Sequence, residues 1–97
     1  MREIFERFMC EEHKGIRKAI TSKEIENAFR CRGTEVRKIV NDLRCDGIPI
    51  CSSPTGYYYA ETGSEIEDTL AHLEGRIEKI EKAKEGLEKA LRNYGIG

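Results

Sequence analysis

Residues 21–44 read TSKEIENAFRCRGTEVRKIVNDLR, and this stretch decides the fold. Thr21 and Glu24 form the Thr-x-x-Glu pattern of a capping box, in which the hydroxyl accepts from the Glu24 N–H and the carboxylate reaches back. The pattern predicts a helix from about Ser22 to Phe29. The side chains expected to be buried on this helix are Ile25, Ala28 and Phe29.

A second helix is predicted from about Thr34 to Arg44, after a tight turn over residues 30–33. Its apolar side chains share about 100° of arc and predict a core face; they are Val36, Ile39, Val40 and Leu43. The opposite side carries Thr34, Arg37, Lys38 and Asn41. Two helices joined by a tight turn, with one face of the second left open, indicate a helix-turn-helix.

The segments on either side complete a small head. Residues 2–13 predict an amphipathic helix with Ile4, Phe5, Phe8 and Met9 on one stripe. Ala19 and Ile20 predict one short strand. Residues 48–53 and 57–60 predict two more strands, joined by a hairpin turn at residues 54–56. Tyr58 is expected to point inward, toward the core.

From Ser64 the apolar pattern changes to alternating steps of four and three, which predicts a coiled-coil helix. Lys84 is the one polar residue on this seam, and glutamate occupies every e position: Glu67, Glu74, Glu81 and Glu88. The residues expected at a dimer interface are Ile66, Leu70, Leu73, Ile77, Ile80, Lys84, Leu87 and Leu91. A parallel pair would place Arg76 near Glu81 of the second copy, but parallel and antiparallel pairing both stay open. A helix folded back on its own head is the alternative to a dimer.

Charge is distributed unevenly along the chain. Residues 14–44 hold nine basic and four acidic side chains, whereas residues 64–97 hold six basic and eight acidic ones. A basic block in a chain of net charge −1 points to an anionic partner. The alternative is an ordinary solvated face.

Several classes of function are disfavoured. Cys10, Cys31, Cys45 and Cys51 form no Cys-x-x-Cys pair, so we expect free thiols and no metal site. Cys31, between two arginines, is the one candidate for a reactive thiolate. With no nucleophile–base pair or phosphate loop, we expect neither an enzyme nor a cofactor or small-molecule ligand. The start is amphipathic and no stretch has the roughly 20 apolar residues of a membrane span, so a cytoplasmic protein is expected.

The chain resembles a known group in three places: residues 22–25, residues 34–40, and the pattern Gly47-Ile48-Pro49-Ile50 followed by Gly56-Tyr57-Tyr58. These segments look like the N-terminal winged helix-turn-helix domains of biotin-operon-repressor-like regulators. The whole chain is similar in style to short winged-helix proteins of phages and mobile elements with a helical tail. The resemblance covers about residues 16–62 and implies DNA binding through the recognition helix and wing. It departs at Arg30, where glycine is usual, and at Arg32, where a small cap is usual, so the cap is expected to shift to Thr34.

The combined expectation is a mainly α fold with a small β-hairpin wing. A winged helix-turn-helix domain would occupy residues 1–62 and a dimerising coiled-coil helix residues 63–97. The function expected is that of a homodimeric regulator, acting in transcription, replication or packaging, that places helix 34–44 in the major groove of duplex DNA and wing 51–57 on the backbone or minor groove. The residues expected to contact DNA are Lys23, Thr34, Arg37, Lys38, Asn41, Ser52, Ser53 and Thr55. The alternative is a winged-helix adaptor that binds protein partners without its own DNA specificity.

Overall fold

A computed structural model describes residues 1–95; Ile96 and Gly97, at the end of the predicted tail, lie outside the described part. The fold is mainly helical (72%), with one antiparallel hairpin and a long C-terminal helix. Its elements are α1 (Arg2–Glu12), a 3₁₀ turn (Ile16–Lys18), α2 (Ser22–Phe29), α3 (Gly33–Cys45), β1 (Ile50–Ser53), β2 (Gly56–Tyr59) and α4 (Gly63–Gly95).

One apolar cluster joins α1, α2, α3 and the hairpin. Its buried members are Phe5, Met9, Ile20, Ile25, Val36, Val40, Leu43 and Ile50. The predicted core face of α3 is therefore confirmed, with Ile39 half-buried at its margin. Two expectations for the neighbouring helices are wrong: Ala28 is exposed, and Ile4 is 67% exposed on the outer side of α1.

The hairpin pairs β1 with β2 in the register Ile50↔Tyr59 to Ser53↔Gly56. The predicted short strand is a single bridge, because Ile20 and Tyr57 exchange two N–H···O bonds of 2.8 Å. This bridge requires glycine at position 56: its φ is +130°, and a Cβ there would lie 2.3 Å from the Ile20 carbonyl oxygen. Tyr58 is buried, as predicted.

The turn between α2 and α3 has three residues, and its first residue is strained. The capping box at the start of α2 is present, as predicted. Arg30 ends α2 in the left-handed conformation (φ 51°, ψ 51°), at the position where glycine is usual. Arg32 is the N-cap of α3 without a side-chain hydrogen bond. The predicted shift of the cap to Thr34 is thus wrong, and α3 begins at Gly33.

Replacing Arg30 by glycine should stabilise the protein by about 1 kcal/mol. The left-handed conformation costs a residue with a Cβ roughly 1–2 kcal/mol, and the greater chain entropy of glycine offsets part of that gain. Thermal unfolding should show a Tm about 4 °C higher. Arg30→Ala is the matched control, because alanine loses the same long side chain but keeps the Cβ. An equal gain in both variants would contradict the explanation.

The first two turns of α4 pack against the exposed edge of β1. The Ser52 N–H donates to the buried Thr69 hydroxyl (3.4 Å), and the Cys51 thiol lies 3.6 Å from the Glu65 carbonyl oxygen. Covering an edge strand in this way blocks pairing with another chain. None of the helices within residues 1–95 is long and apolar enough to cross a membrane.

Glu65 holds the start of α4 to the head. Its carboxylate accepts from the N–H groups of Glu61 (2.7 Å), Ile16 (2.9 Å) and Thr62 (3.2 Å), while its own N–H donates to the Thr62 hydroxyl. Thr62 and Glu65 thus form a second capping box, which the sequence analysis missed. The hydrogen bonds from Glu61, then Ile16, hold the pKa of Glu65 below its ordinary 4.5.

Glu65→Gln should lower the Tm at pH 7, and the difference from the unsubstituted protein should shrink on acidification. A carboxylate with a lowered pKa stabilises the fold above its ordinary pKa of 4.5, and this contribution is lost as the pH falls through the lowered value. Thermal unfolding at pH 7 and pH 3 tests this. Glu67→Gln, at an exposed site two residues on, should change little at either pH. A Tm loss for Glu65→Gln that persists undiminished at pH 3 would refute the assignment.

Candidate nucleic-acid interface

The outward face of α3 is the strongest candidate surface. Thr34, Arg37, Lys38 and Asn41 are all exposed on it, and the opposite face is anchored by Val36, Val40 and Leu43. A helix held by one face presents the other as a rigid set of donors and acceptors. Two cations, an amide and a hydroxyl within two turns match phosphate oxygens and base edges in chemistry.

The start of α2 adds one further exposed cation, Lys23, in the first turn after the capping box. Acidic groups also lie near α3. The Glu26 carboxylate and the Arg37 guanidinium lie on either side of Gly33, and Glu26 also accepts from the Ser22 hydroxyl at 3.4 Å. This carboxylate limits how negative a ligand can be at the start of α3, so the far end of the helix is the more cationic one.

The three hydroxyl residues of the hairpin differ in what they contact. Ser53 and Thr55 bond to one another (Oγ to Oγ1 2.8 Å), and the Thr55 N–H also donates to the Ser53 hydroxyl. Thr55 is exposed at the tip, whereas Ser52 and Ser53 are half-buried. Ser52 accepts from Arg44. Ser53 therefore organises the turn, and Thr55 is the hydroxyl best placed to meet a ligand.

Arg44 is a candidate that the sequence analysis placed inside the helix without a role. Its Nε donates to the Ile50 carbonyl (2.7 Å) and its terminal nitrogen to the Ser52 hydroxyl (3.2 Å). Burial lowers the pKa of Arg44, and the positive charge of Arg76 on α4 acts in the same direction, against Tyr57 and Cys51. Arg44 lies about 20° around the helix axis from Arg37, two turns further along, so the outward face continues to the hairpin.

The seam of α4 is exposed beyond the head. Ile77, Ile80, Leu87 and Leu91 are between 53% and 73% exposed, and they follow Ile66, Leu70 and Leu73 at the head end. The alternative of a helix folded back on its own head does not hold, since only the first turns of α4 contact β1. Lys84 lies on the same exposed stripe, beside Ile80 and Leu87.

The cysteines are free, and their environments differ. Desolvation raises the pKa of Cys31, and the carboxylates of Glu35 and Glu26 add to this effect. Cys31 is thus the reverse of a low-pKa thiolate, which corrects the one candidate for redox chemistry. Within residues 1–95, no three side chains of His, Cys, Asp or Glu are grouped so that they could hold a metal ion.

Comparisons with known proteins add no relative. No protein-family profile, curated protein or solved structure matches this chain. The functional argument therefore depends on the surface of α3, the hairpin and the seam of α4.

Proposed function

We propose that this chain is a homodimeric duplex-DNA-binding regulator of the winged helix-turn-helix type. The order α1, bridge, α2, three-residue turn, α3 and hairpin is the order expected for that fold. The observation that carries the proposal is the exposed polar face of α3, with Arg37, Lys38 and Asn41 beside a hairpin whose tip is polar.

In the proposed complex α3 lies in the major groove. Arg37 and Lys38 contact phosphates or a guanine edge, and the Asn41 amide pairs with an adenine. Thr34 and Lys23 contact the flanking backbone, and Thr55 at the hairpin tip meets the backbone or the minor groove. The tail joins two heads, so the site has two half-sites related by a two-fold axis. Occupying that site, without any effector domain, is the mechanism.

The test is the binding of purified protein to a random-sequence duplex over a series of salt concentrations. Counterion release predicts a linear fall of log K with log salt, with a slope of about −0.9 for each phosphate contacted. The proposal expects a slope of at least about −3, because several cations act together. Absence of binding at low salt, from protein shown to be folded, would refute it.

The exposed seam of α4 favours a second candidate, an adaptor that binds a protein partner. The acidic residues at every e position, Glu67, Glu74, Glu81 and Glu88, would then select a basic partner helix. The two candidates differ in which surface is essential. In the adaptor, seam substitutions abolish activity while substitutions on the outward face of α3 do not.

A further inference from the structure

A polar groove of about 480 Å³ lies where α3, the hairpin and α4 meet. Charged side chains from two different helices line it: Arg44 from α3, and His72 and Arg76 from α4. Hydroxyl groups complete its wall, namely those of Thr21, Ser22, Ser52, Ser53 and Tyr57. The groove is thus rich in donors and brings the tail into contact with the proposed DNA-binding head.

Arg44 is a half-buried cation without a carboxylate partner. It donates to neutral acceptors only, the Ile50 carbonyl and the Ser52 hydroxyl. Within residues 1–95 no carboxylate oxygen lies within 4.0 Å of the guanidinium of either Arg44 or Arg76. Removing a charge from water is costly unless an opposite charge accompanies it, so this arrangement favours an anion in the groove.

Arg76 makes the local charge more positive rather than balancing it. The expected pairing of Arg76 with Glu81 of a second copy is not needed to explain its position, because Arg76 lines the groove beside Arg44. The nearest acidic groups point elsewhere: Glu26 accepts from Ser22 at the rim, and Asp68 lines a separate groove on the other side of His72. Two guanidinium groups facing one space match the oxygens of a phosphate.

We propose that this groove is a phosphate site, with Arg44 and Arg76 as its ligands, and that its occupant is a backbone phosphate of bound duplex DNA. The assignment to DNA rests on the proposed function. It follows from position, since Arg44 continues the outward face of α3 from Arg37 and Asn41 toward the hairpin. A strand that follows α3 along the groove edge reaches this point. The bound phosphate would then tie α4 to α3 and fix the angle between tail and head.

The test compares Arg76→Gln with Arg92→Gln, an exposed arginine in the last turns of α4 that lies outside the groove. Arg76 is substituted because Arg44 also braces β1. Duplex binding is measured over a salt series for both variants and the unsubstituted chain. Arg76→Gln should reduce the magnitude of the slope by about 0.9, and Arg92→Gln should leave it unchanged. An unchanged slope for Arg76→Gln, with the unsubstituted protein binding normally, overturns the assignment to DNA and leaves the proposed function standing.

A second measurement separates the phosphate site from DNA binding. Thermal unfolding is followed with inorganic phosphate and with chloride at matched ionic strength. Selective stabilisation by phosphate that Arg76→Gln abolishes supports the site, even if duplex binding fails; the occupant is then free phosphate and the proposed function is wrong. Neither phosphate stabilisation nor an Arg76-dependent salt slope overturns the site altogether.

Discussion

Replacing Arg37, Lys38 and Asn41 together by alanine should weaken duplex binding by at least about 100-fold. Losing two phosphate contacts would reduce the magnitude of the salt slope by about 1.8. Losing a bidentate base contact costs about 1–3 kcal/mol, and each 1.4 kcal/mol is a factor of ten. The fold should survive, because all three side chains are exposed and alanine favours helix. Titration of a labelled duplex, with circular dichroism for folding, measures both.

The matched control replaces Lys79, Lys82 and Asn93 by alanine. These are also two cations and an amide on an exposed helical surface, but they lie on α4 beyond the head. The control should keep affinity within about two-fold if contacts on α3 dominate, since distant charges are largely screened at physiological salt. Equal losses in both triple variants would indicate binding through net charge alone, and the recognition role of α3 would be wrong.

Local chemistry explains why most elements could be predicted from the sequence. The capping box at Thr21 and the apolar period of α3 depend only on residues within two turns of each other, and both are confirmed. The same local reasoning was available for Thr62 and Glu65, whose Thr-x-x-Glu spacing repeats that of Thr21 and Glu24. That cap was missed because the apolar repeat of the tail drew attention to the seam.

Placement of the tail against the head could not be predicted, since it depends on contacts between residues distant in the chain. Thr69 occupies a g position in the heptad pattern, yet it is buried against the edge of β1. That docking direction brings Arg76 to Arg44, so the groove between them has no signature in sequence spacing. Arg30 illustrates a different limit: its local preference argued against a left-handed turn, and the packing of α2 on α3 overrode it.

Replacing Ile80 and Leu87 by glutamate should convert the proposed dimer to a monomer. Both are d residues, 62% and 73% exposed, and the helix can shield them only by pairing. Burying one such side chain contributes about 1.5–3 kcal/mol, so four lost burials per dimer cost at least about 6 kcal/mol. That corresponds to a dissociation constant raised by more than about 10⁴-fold. Sedimentation over micromolar concentrations measures the change directly.

Lys82→Glu with Lys89→Glu is the control for charge, because both are exposed at f positions, on the outer side of α4. This control should remain a dimer. The head should keep its Tm in the seam variant, since neither Ile80 nor Leu87 packs against it. Loss of the dimer should also weaken binding to a two-half-site duplex, because the two heads no longer bind as one unit. A wild-type chain that is monomeric at these concentrations would contradict the dimer. A monomeric variant with undiminished duplex affinity would instead show that one head suffices.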